Sequence, residues 1–522
     1  MRAKLSNMME TPSVSQTGKA GTAKIGTPEQ QAVWEDMRQM QRGGYGSEGR
    51  AGHLKVNAVA GSGKTFTAVE GAKLLREGGR APRITYLAFN KSVQQEMHER
   101  AGGSVEAVTF HSAGYKAVRD ALGYVKPNDK RDWDVMSRMS GMSQDRRVRG
   151  GLKKLISLVK QYGVGAGSNW KGEVWSVVDR HALVLGDTDE IEQEVVSWVP
   201  KMLAASMEVR KEEGIGFDDM VWLPYAMGLR VEQAEMLVVD EAQDLNMVQR
   251  WYAARAGERV LVVGDRNQAI YGFRGAGVES MDDLGRELVG VTGQGVAERQ
   301  LSYTRRCPVR VVELAQEIVP QIKAWEGAED GVVREEGVMK AMEQMEEGDM
   351  VLCRVNPPLV KMAYKLIAMG KPARIRGREI HDGILKLLEG TGNYGSMAQV
   401  VKRAEELTAD EVEKYMALAE GRGEHRAQLA SDRLECFIAC SEGCTGVGEL
   451  RGRLEELFRG DRKGIVLSSV HKAKGLEADR VWILEPQLMP HPRAKRGWEL
   501  QQEMNLKYVA VTRARKELVW VR

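Results

Sequence analysis

Short apolar runs alternate with longer amphipathic stretches over much of the chain. Residues 54–59 (Leu-Lys-Val-Asn-Ala-Val) are apolar and β-branched enough for a buried strand, and residues 65–69 open a helix directly after a glycine turn. Runs at 84–89, 105–109, 235–239 and 259–263 predict four more strands with helices between them. That alternation is the mark of a parallel sheet covered on both faces. It breaks off between about 119 and 216, where helical periodicity is punctuated by glycine-rich breaks such as 162–167. A second α/β unit reads over 348–380 and resumes at 464–522, with a helical stretch rich in Glu, Arg and Ala between them. The predicted fold is α/β, with two parallel-sheet domains that each carry a mainly helical insertion. The first domain is expected at 26–118 and 217–292 around an insertion at 119–216; the second at 293–380 and 460–522 around an insertion at 381–459. Residues 1–25 are polar and aperiodic, which predicts a disordered arm. Order is expected from Gly26, where Thr27 can cap a helix that has Pro28 at its first position. No short fixed-period repeat is visible.

Two segments at predicted strand ends carry chemistry. Residues 58–65 read Ala-Val-Ala-Gly-Ser-Gly-Lys-Thr, a phosphate loop whose strict pattern would open on glycine where Ala58 stands. Its glycines let backbone N–H groups turn inward, and the helix that follows adds the positive end of its dipole. Lys64 is expected to reach the β- and γ-phosphates and the Thr65 hydroxyl to ligand Mg²⁺. Residues 240–244 read Asp-Glu-Ala-Gln-Asp: Asp240 suits the Mg²⁺ shell and Glu241 suits polarising the attacking water. Together they predict binding and hydrolysis of a nucleoside triphosphate.

Composition narrows the setting. With 522 residues the chain is too long for one core, and 43% hydrophobic with 29% charged residues describes a globular protein. Net charge is only +3, so a nucleic-acid partner would be met by local basic clusters. No apolar run approaches the roughly 20 residues of a membrane span, and no signal peptide is expected. Five cysteines argue against a disulfide scaffold and for a reducing compartment. Cys436, Cys440 and Cys444, spaced by four with His425 upstream, fit a buried helical stripe better than a metal site, because no fourth ligand has zinc-like spacing.

Four further segments place polar residues where strands should end: 264–276 (Gly-Asp-Arg-Asn-Gln-Ala-Ile-Tyr-Gly-Phe-Arg-Gly-Ala), 301–308 (Leu-Ser-Tyr-Thr-Arg-Arg-Cys-Pro), 470–477 (Val-His-Lys-Ala-Lys-Gly-Leu-Glu) and 505–515 (Asn-Leu-Lys-Tyr-Val-Ala-Val-Thr-Arg-Ala-Arg). With the two segments above, they strongly resemble the ordered motif set of superfamily 1 helicases of the UvrD/Rep type, from about Thr27 to Arg515. Arg306-Cys307-Pro308 and residues 372–378 look closest to phage-encoded members. The resemblance implies two RecA-like domains with ATP in the cleft between them. It assigns adenine reading to Gln30, with Gln31 as the adjacent alternative, and nucleotide binding to Ala60, Gly61, Ser62, Gly63, Lys64, Thr65 and Phe66. Gln268 would sense the γ-phosphate, Arg306 and Arg513 would reach it from the second domain, and Gly475 and Glu477 would contact ribose and couple to DNA. One position departs from the family: Arg305 stands where an aromatic usually stacks on adenine, which leaves ATP against GTP open.

Single strands are gripped by basic grooves with aromatic faces. The family positions point to Phe89, Asn90, Lys91, Thr109, Phe110, His111, Tyr271, Phe273, Arg274 and His471, with core packing the competing reading for Phe89 and Phe110. Residues 216–222 resemble a further motif whose acids read as structural. The implied partners are single-stranded DNA and single/double-strand junctions, together with replication or recombination proteins. A monomer or weak oligomer in a bacterial or phage-infected cytoplasm is expected. The resemblance favours 3′→5′ movement over the RecD-like polarity. With seven residues after Arg515, no fused nuclease is expected. A protein-displacing translocase and an ATP-switched loader share these motifs. A small-molecule kinase would leave 470–477 and 505–515 unexplained.

Overall fold

The computed structural model describes residues 26–42, 52–77, 82–165, 169–181, 183–186, 188–270, 279–392, 396–417, 424–458, 463–492, 494 and 497–522. The predicted arm at 1–25 and the three candidate DNA contacts Tyr271, Phe273 and Arg274 lie outside them.

Six strands build the first sheet: β1 (His53–Ala58), β2 (Ile84–Ala88), β3 (Glu106–Thr109), β4 (Ala234–Val239), β5 (Gly257–Gly264) and β6 (Val296–Leu301). Their order is β3-β2-β4-β5-β1-β6, and every neighbouring pair is parallel. Five of these strands fall where the apolar runs predict them. β6 lies beyond the expected boundary at 292, so the first sheet closes at Leu301. Its exposed, polar Glu298, Arg299 and Gln300 hide an edge strand from a search for apolar runs.

Register sets up the chemistry. Asn57 of β1 is level with Gly264 of β5, and Val239 of β4 is level with Val262 of β5. The loops after β1, β4 and β5 therefore leave one edge of the sheet side by side, the usual place for a ligand in an open parallel sheet.

A short pair, β7 (Tyr303–Thr304) and β8 (Lys323–Ala324), leads to the second sheet. That sheet contains β9 (Val332–Glu336), β10 (Met350–Cys353), β11 (Ala373–Arg376), β12 (Ile465–Ser469), β13 (Ala478–Leu484) and β14 (Ala514–Val521). Its order is β11-β12-β10-β13-β14-β9, again all parallel.

Both insertions are helical. The first contains Arg131–Arg138, Arg146–Gln161, Trp170–Arg180 and Asp189–Met207, packed through Val135, Leu152, Leu155, Val178, Val195 and Met202. It is fastened to the first domain by a buried ionic cluster. Lys160 lies 2.7 Å from Asp219 and 3.0 Å from Asp132, and Arg131 also pairs with Asp219. The second contains Arg378–Thr391, Met397–Met416, Glu424–Ser441 and Val447–Leu457. Cys436 and Cys440 lie in its core beside Phe437, Leu450 and Leu454. Burial pushes both thiols up, Cys440 to about 12, so they are thiols rather than thiolates. Among the described residues, no helix is long and apolar enough to cross a membrane.

Candidate functional site

The phosphate loop runs from the end of β1 into the helix Lys64–Glu77. Gly61 and Gly63 adopt φ of 72° and 81°, values that glycine takes without strain. A Cβ on Gly61 would also lie 2.5 Å from Thr304 Oγ1. The Ser62 hydroxyl is buried with no hydrogen-bond partner among the described residues. A buried hydroxyl left unpaired in an anion cradle suits a phosphate oxygen.

Opposite this loop, Glu241 takes a left-handed backbone (φ 49°), uncommon for a residue with a Cβ. Lys64 Nζ lies 3.5 Å from Glu241 Oε1. Burial disfavours the Lys64 charge, but Glu241, Asp265 and Asp240 outweigh it and raise its pKa. The two adjacent acids part in the opposite sense. Burial and the Glu241 charge raise Asp240. Burial also works against ionised Glu241, yet Lys64 and Lys474 hold it down to about 2. Glu241 is therefore an ionised acceptor at neutral pH.

A polar chain links these groups across the first sheet. Gln243 donates to Glu241 and accepts the Asp265 N–H at 3.0 Å; Gln268 donates to Asp265 at 2.7 Å. Gln268 Oε1 then accepts from Arg513 Nη2 at 3.2 Å, which brings in the second domain. Arg513 is 1% exposed, and its pKa is lowered to about 10 by burial and by Arg306. Arg306 Nε is held 2.6 Å from Glu477 Oε2, and Arg515 lies 3.4 Å from the same carboxylate. Gly61, Ser62, Gly63, Lys64, Thr65, Phe66, Asp240, Glu241, Gln268, Arg306, Gly475, Glu477 and Arg513 all line one cleft of about 1250 Å³.

Two predicted nucleotide contacts sit elsewhere. Ala60 is fully buried, and its N–H donates to the Tyr508 hydroxyl at 2.9 Å. Gln30 closes the capping box of the helix Pro28–Gln41 and donates to Ser62 O and Thr67 Oγ1 at 3.3 and 3.0 Å. It lies behind the phosphate loop and does not line the cleft, while Gln31 bonds back to Gly26 O. Arg305 faces the cleft with its guanidinium 4.2 Å from the centre of the Trp325 ring.

An aromatic groove of about 460 Å³ adjoins the cleft, and Phe89 and Asp244 line both. His111 stacks on Phe217 there, with centroids 3.8 Å apart, and Trp222 and His181 continue the wall. Burial lowers His111 to about 4, so its ring is neutral. Phe217 is 59% exposed; its signal in the chain was an aromatic residue straight after a helix-starting glycine.

Phe110 is a correction. It is 1% exposed and packs edge-on against Tyr252, because the helix Phe110–Leu122 turns Phe110, Gly114, Ala117 and Val118 toward the core. Thr109 caps that helix and Asn90 caps Lys91–Ala101, with Lys91 exposed at its start. His471 lines neither cavity; burial and Arg354 lower it to about 4. Pattern reading also overlooked Gln243, Asp265, Lys474 and Tyr508. Lys474 Nζ reaches Asp244 at 2.6 Å and Gln268 O at 2.7 Å.

Comparison with known proteins gives matches to two family domains and to several helicases. The UvrD/REP helicase N-terminal domain matches residues 46–288, and the UvrD-like helicase C-terminal domain matches 401–521. ATP-dependent DNA helicase Rep of Escherichia coli is 30% identical over 45% of this chain and 37% of its own length. F-box DNA helicase protein 1 of Schizosaccharomyces pombe is 24% identical over 89% of this chain and 55% of its own. ATP-dependent DNA helicase UvrD2 of Mycobacterium tuberculosis is 24% identical over 90% of this chain and 76% of its own. The chain thus spans only about a third to a half of the Rep and F-box helicases it matches.

Proposed function

We propose that this chain, a helicase of the UvrD type in superfamily 1, hydrolyses ATP to move along single-stranded DNA and to open duplex ahead of it. The observation that carries the reading is the division of the catalytic set. Lys64, Asp240, Glu241 and Gln268 follow strands of the first sheet, Arg513 directly precedes β14 of the second, Arg306 follows β7 in the connection between them, and all meet in one cleft. Hydrolysis is then conditional on closure of the cleft. Lys64 and the loop N–H groups hold the phosphates, and Glu241 orients the water that attacks. Arg306 and Arg513 stabilise charge that develops only in the transition state.

The donors at the metal position, the Thr65 hydroxyl and the Asp240 carboxylate 3.3 Å apart, are hard oxygens that suit Mg²⁺. Bound with the nucleotide, the ion would neutralise the β- and γ-phosphates. Arg305, backed by Trp325, offers a flat cation to the base in place of an aromatic ring. Phe89 and Asp244, shared by cleft and groove, supply a short route by which nucleotide state changes the grip on DNA. Family resemblance supports 3′→5′ movement, and Arg306-Cys307-Pro308 supports kinship with phage-encoded members.

The test is unwinding of duplexes carrying a 3′ or a 5′ single-stranded tail, with ATPase measured with and without single strand. Opening of the 3′-tailed duplex alone is expected. Opening of the 5′-tailed one alone would overturn the polarity. Stimulated ATPase with neither duplex opened would identify a translocase. No stimulation by DNA would overturn the motor reading.

A further inference from the structure

Tyr86 sits in the middle of β2, 1% exposed and level with Val238 of β4. Residues side by side in parallel strands point to the same face, as does the residue two further along, so Tyr86, Val238 and Asp240 share a face. The phenol ring runs along that face, and its hydroxyl donates to Asp240 Oδ2. The same oxygen accepts from Thr65 Oγ1 at 3.3 Å, while Asp240 Oδ1 accepts the Glu241 N–H at 2.8 Å. Around Tyr86, β2 is apolar, with Ile84, Leu87 and Ala88 buried. Phenylalanine would fill the same space, so it is the hydroxyl that needs a reason. An oxygen carried this deep is costly unless bonded, and here it is spent on the one carboxylate that faces the metal position.

We propose that Tyr86 is a positioning residue for the metal side of the site, its hydroxyl holding the Asp240 carboxylate in the orientation that accepts Mg²⁺ with the nucleotide. The inference rests on the reading of Asp240 and Thr65 as the metal-facing pair. A Thr65 hydroxyl that gives a lone pair to a metal keeps its proton and can still donate to Asp240 Oδ2. Tyr86 and the Glu241 N–H hold the carboxylate independently of that bond, one on each oxygen.

The test is Tyr86→Phe in the full chain, with Mn²⁺ titrated by electron paramagnetic resonance in the presence of ATPγS. Mn²⁺ affinity should fall about tenfold, the effect of one hydrogen bond to a charged group. ATPγS affinity in EDTA should be unchanged. In ATPase assays the Mg²⁺ midpoint should rise about tenfold while kcat at saturating Mg²⁺ stays within about threefold. In an Asp240→Asn background, Tyr86→Phe should add nothing, since the acceptor it serves has lost its charge. Equal Mn²⁺ affinity in wild type and variant, or a lower kcat at an unchanged Mg²⁺ midpoint, would overturn the proposal and make Tyr86 a packing residue. Wild-type protein that binds no Mn²⁺ with ATPγS would instead overturn the reading of the metal position itself.

Discussion

Replacing Arg513 by methionine should nearly abolish hydrolysis while leaving the nucleotide-free protein almost as stable as before. Methionine keeps the length and the apolar stem and removes the cation. The lowering of the Arg513 pKa from 12.5 to about 10 corresponds to about 3 kcal/mol of unfavourable charge within the cleft. Against this stand four hydrogen bonds, to Val509 O at 2.9 Å, Leu476 O at 3.0 Å, Gln268 Oε1 at 3.2 Å and, longest, Thr512 Oγ1 at 3.5 Å. At about 1 kcal/mol each they nearly cancel it, so the net change in stability should be within about 1 kcal/mol. In the transition state the balance tips, because the phosphoryl group supplies the negative charge that the guanidinium lacks. Removing the cation should then slow hydrolysis by about three to five orders of magnitude, the range of an arginine finger. Single-turnover ATP hydrolysis at saturating single strand measures the first effect, and urea unfolding without nucleotide measures the second. A rate within tenfold of wild type, or a loss of more than about 3 kcal/mol of stability, would show that Arg513 is a structural tie and refute the reasoning.

Two other outcomes are expected. Phe217→Ala removes an exposed ring that stacks on His111, so folding should be unaffected; binding of an oligo-dT strand, followed by fluorescence anisotropy, should weaken about tenfold or more with unstimulated ATPase unchanged. Unaltered strand affinity would remove Phe217 from the track. His53 accepts the Val260 N–H on Nδ1, which leaves Nε2–H to donate to Thr292 Oγ1 at 2.9 Å, and burial followed by Arg259 lowers its pKa to about 4. The folded state thus binds its proton later than the unfolded chain. His53's contribution is complete above about pH 6.5 and is lost as pH falls toward 4, by up to about 3 kcal/mol. Urea midpoints between pH 7.5 and 4.5 should fall less steeply in His53→Gln, and parallel slopes would exclude this role.

What could be read from the chain was what local pattern encodes. Buried parallel strands are rich in apolar residues, so β2, β4 and β5 stand out, as does β1 although Lys55 and Asn57 interrupt it, and the turns after β1, β4 and β5 carry Lys64, Asp240 and Gln268. β6 was hidden because one of its edges is free and three of its residues are polar and exposed. Phe110 and His111 are adjacent in sequence, yet one belongs to the core and the other to the groove. Only the helical phase set by the Thr109 cap separates them. Phe217 was masked by its acidic neighbours, which drew the reading toward Asp218 and Asp219. Those two acids are occupied within the fold by Ser157, Gln161 and Lys160. Tyr86 looks like any aromatic strand residue until β2 is laid beside β4.

Contacts across the cleft have a further property that suits a cycle. Tyr508 bonds to the Ala60 N–H, Asn505 to Ala269 O at 3.0 Å, and Lys474 to both Asp244 and Gln268 O. All of them touch the loops after β1, β4 and β5 rather than the body of the sheet, so a change at the phosphates is felt where the second domain is attached. Each neutral bond is worth about 1 kcal/mol net. The Lys474–Asp244 pair is close, but burial lifts Asp244 to about 6 despite its lysine, which shows how far desolvation offsets the attraction. Asp244 Oδ1 also has no hydrogen-bond partner among the described residues. Ties that are well defined in geometry and modest in free energy hold the domains in register without locking them. In the proposed cycle, that balance would let a differential of a few kcal/mol between nucleotide states shift the cleft between open and closed.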